Sequence, residues 1–107
     1  MENYLGKTNC QLKLATFYDR DGQHQKAIDL FETIMAAQRK SARKDYLYLM
    51  TQHECALSYR ANGQLDKGLE LLEHVVAVAK DNKDKDYTNQ DVWFSDLDNM
   101  RAARSRE

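Results

Sequence analysis

Histidine and cysteine are the residues of this sequence best suited to metal binding or nucleophilic chemistry. They occur at His24, His53, His74, Cys10 and Cys55. Helical residues two apart point about 200° apart, so His53 and Cys55 cannot bind one metal ion together. The other spacings match no metal-binding pattern. We therefore expect no metal site, and we interpret the two cysteines as free thiols rather than as a disulfide.

Other kinds of catalytic group also lack a recognisable pattern. The sequence offers no Ser/His/Asp or Cys/His arrangement and no glycine-rich loop that would bind phosphate. Its carboxylates fall on helix faces that we expect to be exposed. Glu32 and Glu73 recur with the repeat described below, which favours a structural role such as an ion pair on a helix surface. We expect neither enzyme activity nor a cofactor.

Ser41 lies in a basic segment, between Arg39-Lys40 and Arg43-Lys44. We interpret this segment as a solvated connection between helices. The alternative is a phosphorylation site or a patch for an acidic partner, because a phosphate on Ser41 would find four cations within reach. Nucleic-acid binding is disfavoured, because the corresponding segment alternates cations with anions, at Lys80, Asp81, Lys83, Asp84, Lys85 and Asp86.

The composition predicts that helices position these side chains. Proline, which breaks helix interiors, is absent from the 107 residues, and the four glycines are isolated. Apolar residues make up 42%, enough for a core, but no apolar stretch is long enough to span a membrane. The net charge of −1 gives no general attraction to nucleic acid or acidic membranes. With no signal-peptide pattern, we expect the protein in the cytoplasm.

An internal repeat of 41 residues organises the sequence. Residues 11–51 align with residues 52–92 without gaps, and unrelated sequences would share roughly two or three identities over such a window. Repeats of about this length are typical of stacked helical arrays. The 12 identical pairs are Gln11/Gln52, Ala15/Ala56, Tyr18/Tyr59, Gly22/Gly63, Gln23/Gln64, Lys26/Lys67, Leu30/Leu71, Glu32/Glu73, Ala36/Ala77, Lys44/Lys85, Asp45/Asp86 and Tyr46/Tyr87.

Each repeat is predicted to contain two helices joined by a glycine turn. Apolar residues recur every three or four positions on both sides of Gly22 and of Gly63, which is helical spacing. Glycine at these points can end a helix, because it tolerates the left-handed conformation. We predict a single all-α domain, with one repeat at about 8–40, a second at about 46–81 and a capping helix at about 88–104.

The segment 88–104 would begin a third repeat but has diverged. Leu97, Met100 and Arg104 replace the small residue, the tyrosine and the turn glycine. We interpret it as a capping helix with a polar outer face; the alternative is that the chain is a piece of a longer array. Trp93 is expected to seal the core rather than extend a hydrophobic interface. The predicted outer face consists of Asp96, Asp98, Asn99, Arg101 and Arg104.

The repeat resembles the tetratricopeptide repeat across residues 8–104. Its 41-residue period is longer than the usual 34, and this is similar to the kinesin-light-chain type. The phrase at 52–64 is similar to arrays of filamentous fungi, which often follow a nucleotide-binding switch domain in innate-immunity-like receptors. The signature positions are Leu14, Ala15, Tyr18, Gly22, Ala27, Ile28 and Phe31 in the first repeat, and Ala56, Tyr59, Gly63, Leu69 and Leu72 in the second.

The resemblance implies a right-handed superhelix of antiparallel helix pairs that acts as a scaffold for a peptide or protein. The first helix of each pair lines the concave face of such an array. The alternative function is self-association, as a homo-oligomer or as part of a longer array in a signalling receptor. Residues of the first helices expected to point away from the core, and hence to contact a partner, are Leu12, Thr16, Asp19, Arg20, Met50, His53, Leu57, Arg60, Phe94, Asp98 and Arg101.

Two departures from the family pattern carry further expectations. Gly68 stands where a small residue is expected, and it should weaken its helix by about 1 kcal/mol relative to alanine. Tetratricopeptide co-chaperones hold the terminal carboxylate of a chaperone with Lys and Asn side chains, whereas Leu12, Thr16, His53 and Leu57 occupy those positions here. We therefore expect no binding of chaperone tails.

Overall fold

Five helices make up the part of the chain that the computed structural model describes, which is residues 4–40, 46–81 and 90–106. No strand occurs within these ranges. The predicted all-α class, with two helix pairs and a fifth helix, is confirmed. The helices are α1 (Tyr4–Arg20), α2 (His24–Lys40), α3 (Tyr46–Ala61), α4 (Leu65–Asp81) and α5 (Gln90–Ser105).

A glycine turn closes each helix pair, as the sequence predicts. Gly22 and Gly63 have φ angles of 82° and 81°, in the left-handed region that glycine enters without steric cost. In the first turn the backbone N–H of Gln23 donates to the carbonyl of Tyr18 at 2.8 Å, and the second turn has the same bond at the same length. These bonds satisfy carbonyls that the end of a helix would otherwise leave unpaired.

Consecutive helices pack against each other to form two apolar clusters, and α3 contributes to both. We call them the N-terminal cluster and the C-terminal cluster. The N-terminal cluster consists of Leu12, Ala15, Ala27, Ile28, Phe31, Ile34, Met35, Cys55 and Tyr59. The C-terminal cluster consists of Tyr48, Leu49, Ala56, Leu69, Leu72, Val75, Val76, Ala79, Trp93, Leu97 and Met100.

Gly68 allows α3 and α4 to approach closely. A Cβ atom at this position would lie 2.7 Å from the backbone oxygen of Ala56. A carbonyl oxygen of a packed helix cannot move aside cheaply, so a side chain here would push the helices apart. The sequence showed only the helix-weakening effect of Gly68, and the structure supplies the packing reason for it.

Helix α5 packs against α4. Trp93 is fully buried in the C-terminal cluster, which confirms that it seals the core. The prediction that Asp96 belongs to the polar outer face is wrong, because its carboxylate turns inward to His53 of α3. The other four predicted outer residues are exposed: Asp98, Asn99, Arg101 and Arg104.

The two repeated glutamates each join one repeat to the next. Glu32 of α2 accepts a hydrogen bond from the hydroxyl of Tyr59 on α3. Glu73 of α4 forms an ion pair with Arg101 of α5, with 3.4 Å between nitrogen and oxygen. The predicted structural role of these carboxylates is therefore confirmed. For Glu32 the contact is a hydrogen bond to a tyrosine rather than an ion pair.

Candidate protein-binding groove

A groove of about 460 Å³ runs between the first helices of the two repeats, α1 and α3. α1 contributes more of its lining than α3. The side chains follow the i, i+4 spacing that places residues on one helix face, so the groove runs along both helices. Its lining consists of Leu12, Lys13, Thr16, Phe17 and Arg20 on α1 with Met50 and Glu54 on α3.

Apolar surface dominates the groove. Phe17 is the most exposed large apolar side chain of the described residues, with 60% of its surface accessible, and Met50 is half-buried opposite α1. The Thr16 hydroxyl donates to the carbonyl of Leu12 at 2.9 Å, so its proton is already used within the helix. An apolar side chain of a partner could therefore bind here, and flexible methionine could adapt to its shape.

Charged groups flank this apolar surface on both helices. Lys13 and Arg20 are exposed on α1, and the partly buried Glu54 lies on α3. Glu54 is 3.4 Å from Nδ1 of His53, so its charge is partly engaged within the protein. The groove can thus hold an apolar segment while its rim contacts polar or charged groups of a partner.

Four of the predicted contact residues line this groove, namely Leu12, Thr16, Arg20 and Met50. The expectation that Leu12 and His53 point away from the core is wrong. Leu12 belongs to the N-terminal cluster and only its edge reaches the groove, while His53 is 5% exposed. The two residues occupy the same repeat position, which lies where one first helix faces the next.

His53 links α3 to α5. Its Nε2–H donates to Oδ2 of Asp96 at 2.7 Å, while Glu54 approaches Nδ1 at 3.4 Å. Burial alone would lower the pKa of His53, but the hydrogen bonds to Glu54 and Asp96 and their negative charges outweigh it, so the pKa lies above its usual 6.5. The side chain is thus part of the packing between repeats and is not available for direct contact with a partner.

The remaining predicted contact residues lie outside the groove. Asp19 is 2.6 Å from Nδ1 of His24, which ties the end of α1 to the start of α2. Leu57 and Phe94 are partly buried against the C-terminal cluster. The exposed members of the set are Arg60, Asp98 and Arg101.

Sequence reasoning missed Lys13, Phe17 and Glu54 of the groove. Lys13 and Phe17 each follow a predicted contact residue by one position. They therefore lie beside the predicted face of α1, on the side exposed to solvent. Lys13 and Glu54 also occupy equivalent positions, 41 residues apart. Widening the predicted face by one residue in each repeat would have found Lys13, Phe17 and Glu54 together.

A second, larger groove of about 880 Å³ lies between α2 and α4, with α3 as its floor. Three of its polar side chains contact one another: Tyr59 donates to Glu32, and the Lys67 ammonium lies 5.9 Å from the centre of the Tyr59 ring. Burial and the bond to Glu32 raise the pKa of Tyr59, so it stays a neutral donor. These contacts connect α2, α3 and α4, so this groove is part of the packing between the two repeats. The lining also includes Met35, Arg39, Tyr48, Gln52, Glu70, Leu71 and His74.

Groups capable of metal or nucleophilic chemistry lie apart from each other. Within residues 4–40, 46–81 and 90–106, no three His, Cys, Asp or Glu side chains could hold a metal ion together. Cys10 and Cys55 are both free. Burial and the nearby charge of Glu32 raise the pKa of Cys55 to about 12, so it is an unreactive thiol.

No described helix could cross a membrane. Ser41, the alternative phosphorylation site, lies outside the described residues.

Comparison with known proteins places these helix pairs in a family. The family model for the tetratricopeptide repeat matches residues 4–81, which contain both helix pairs. The chain is 33% identical to a crystal structure of kinesin light chain nearly identical TPR-like repeats from Podospora anserina, with a TM-score of 0.84. A substituted variant of that protein gives the same identity and TM-score. No curated protein matches the chain significantly.

The likeness extends over nearly the whole chain but only part of the other protein. It covers 99% of this chain and 50% of the chain in each crystal structure, so the present chain spans about half their length. The family match also agrees with the paired helices, the positive-φ glycine turns and the buried tyrosine seen here. The chain belongs to the tetratricopeptide repeat family, and its repeats are similar to the kinesin-light-chain type.

Proposed function

We propose that this protein is a scaffold that binds a peptide or protein segment in the groove between α1 and α3. The observation that carries the proposal is the groove itself, in which the highly exposed Phe17 lies beside Met50 between charged rims. Membership of a repeat family that mediates contacts between proteins supports it. The groove lies on the first helices, where partner contacts are predicted.

The chemistry of the groove favours a partner with an apolar anchor. Burying one large apolar side chain against Phe17 and Met50 would contribute about 1.5–3 kcal/mol. A single such contact cannot overcome the entropy of association, so polar contacts to Lys13, Arg20 or Glu54 must add to it. The proposed mode is therefore a segment that places one apolar side chain in the groove and hydrogen-bonds along its rim.

Affinity capture with matched variants tests this function. Phe17→Ser and Arg20→Ala should lose partners that the unsubstituted protein captures from cell extract, identified by mass spectrometry. Val92→Ser is the matched control, because Val92 is a comparably exposed apolar residue on α5, 49% accessible, and does not line the groove. Circular dichroism should show equal helix content in all variants. Retained partners in Phe17→Ser, or equal losses in Val92→Ser, would contradict the proposal.

We also infer that the protein acts by binding alone, in the cytoplasm. Both cysteines are free thiols, which suits a reducing compartment, and the unreactive state of Cys55 supports a structural role for it. Thiol alkylation in intact cells, followed by lysis and cell fractionation, tests the location. Recovery in a secretory fraction, or with the cysteines oxidised, would count against it.

A further inference from the structure

We call the groove between α2 and α4 the second groove. Met50 of α3 lines the groove between α1 and α3, and Gln52 of the same helix lines the second groove. Helical residues two apart point about 200° apart, so the two grooves open on opposite sides of α3. No described residue lines both. A ligand in the second groove would therefore not compete directly with a partner in the first.

The floor of the second groove consists of buried side chains that can form hydrogen bonds. Tyr48, Gln52 and Tyr59 lie on one face of α3, and none of them has more than 8% of its surface accessible. The volume above them, about 880 Å³, is within the range of about 300–1,000 Å³ that is typical of ligand sites. The groove is thus large enough for a ligand, and its base is polar.

Gln52 has an unused hydrogen-bond acceptor in this floor. The residue is 1% exposed, and its side-chain oxygen has no hydrogen-bond partner within the described part of the chain. Most buried polar atoms of folded proteins are paired, because an unpaired one lowers stability. The terminal torsion of glutamine is broad, so the amide can turn toward the open groove. An N–H group of a ligand would then supply the missing bond.

The walls of the second groove carry opposite charges without a partner. Arg39 lies on the α2 wall and Glu70 on the α4 wall, and both are exposed. Within residues 4–40, 46–81 and 90–106, neither side chain forms an ion pair or a hydrogen bond. Met35 and Leu71 add apolar surface to the two walls. A ligand therefore meets a free cation on one side and a free carboxylate on the other.

Arg39 lies level with the amide of Gln52. The side chains of Gln38 and Thr51 form a hydrogen bond of 3.2 Å between α2 and α3, and Arg39 and Gln52 each follow these residues by one position. A group bound to the amide would consequently lie next to the guanidinium.

An extended peptide segment fits this arrangement better than a helix does. Side chains of an extended chain alternate between two opposite sides, so neighbouring residues would face opposite walls of the groove. The backbone N–H groups point at right angles to the side chains and would face the floor. A helix uses most of its N–H groups internally and would leave the acceptor of Gln52 unpaired. A ligand with a single charge would satisfy only one wall.

We propose that the second groove binds an extended segment of a partner protein in which an acidic and a basic residue are neighbours. The acidic side chain pairs with Arg39, the basic side chain pairs with Glu70, and a backbone N–H of the segment donates to the side-chain oxygen of Gln52. Because the two grooves lie on opposite sides of α3, the protein can hold two different partners at once.

Selection of peptides tests this proposal. Random linear seven-residue peptides displayed on phage are selected against the Phe17→Ser protein, in which the groove between α1 and α3 is impaired. The selected peptides are synthesised and titrated into the unsubstituted protein labelled with nitrogen-15. We expect neighbouring acidic and basic residues in the selected peptides. We also expect the amide signals of Gln52 to shift more than those of α1.

Two variants test the named contacts. Gln52→Leu should weaken peptide binding by about fivefold, the effect of one lost hydrogen bond, while its urea midpoint stays equal or rises because the unpaired oxygen is gone. Gln11→Leu is the matched control at the equivalent position of the first repeat, and it should bind the peptides unchanged. Arg39→Glu should weaken binding by about fivefold or more, because an attraction becomes a repulsion.

Several results would overturn the proposal. These are a selection that enriches no peptide, signal shifts confined to α1 and to the α3 residues that line the first groove, and equal losses of binding in Gln52→Leu and Gln11→Leu. Arg39→Glu changes an exposed residue and should fold normally. Unchanged peptide binding in that variant therefore contradicts the proposal even if Gln52→Leu does not fold.

Discussion

His53 forms a charged bridge within the helix array. Its two ring nitrogens face Asp96 and Glu54, and its ring lies beside Trp93 with 6.3 Å between centroids. Burial disfavours the charged imidazolium, but the two carboxylates outweigh burial and raise the pKa. A folded-state pKa above the unfolded 6.5 means that the bridge stabilises the fold fully below pH 6.5. This stabilisation is lost as the pH rises through the raised value.

The free energy of unfolding should therefore decrease as the pH rises above neutrality, because His53 loses its proton. We expect the urea midpoint to be lower at about pH 8.5 than at about pH 6, and His53→Gln to remove most of that difference. His74→Gln is the control, since His74 is exposed on α4 and should keep the pH dependence of the unsubstituted protein. A His53→Gln protein with an unchanged pH dependence would show that the bridge contributes nothing.

Gly68 gives a prediction opposite in sign to helix propensity. Alanine is favoured over glycine within a helix by about 1 kcal/mol. Gly68→Ala should nevertheless destabilise the protein by about 1–3 kcal/mol, because its Cβ would lie 2.7 Å from the Ala56 oxygen and strain the packing. Chemical denaturation measures the change. Ala77→Gly, at an exposed position of the same helix, is the control for propensity alone. A more stable Gly68→Ala protein would disprove the packing role.

At the scale of the helices, the bond between Tyr59 and Glu32 couples α3 to α2. Tyr59→Phe should cost about 1 kcal/mol, the usual net value of a hydrogen bond. Tyr59→Phe should destabilise the Glu32→Ala protein by less than it destabilises the unsubstituted protein. The difference, measured by this double-mutant cycle, is the energy of the contact. The pair Glu73–Arg101 is the control, because both side chains are about half exposed and should couple by less than about 1 kcal/mol. Equal coupling in both cycles would contradict the assignment.

The helices and turns could be predicted because their signals are local. Which residues of the first helices face the core and which face the groove could not be predicted in this way. The spacing of apolar residues predicted the helices, and the equivalent glycines Gly22 and Gly63 predicted the turns that pair them. The direction of His53 depends on Asp96, 43 residues later, and no repeat pattern contains that contact. Leu12 was misjudged for the same reason: whether a first-helix residue faces the groove or the core depends on the neighbouring first helix.

At the scale of the whole molecule, α3 makes the array one unit. It supplies Cys55 and Tyr59 to the N-terminal cluster and Leu49 and Ala56 to the C-terminal cluster. Neither cluster can keep its packing if α3 unfolds. Repeat proteins unfold cooperatively when the coupling between neighbouring repeats is strong compared with their intrinsic stability. A helix shared by both clusters provides such coupling.

Damage to one cluster should therefore lower the stability of the other. Ile28→Ala removes buried apolar volume from the N-terminal cluster and should cost about 2–5 kcal/mol. Trp93 lies in the C-terminal cluster, and its fluorescence reports that cluster alone because it is the only tryptophan. The fluorescence midpoint in urea should fall by the same amount as the midpoint for helix content. Leu14→Ala, at an exposed position, should shift neither. A fluorescence midpoint that stays fixed while helix content is lost earlier would show that the two clusters unfold separately, and that α3 does not couple them.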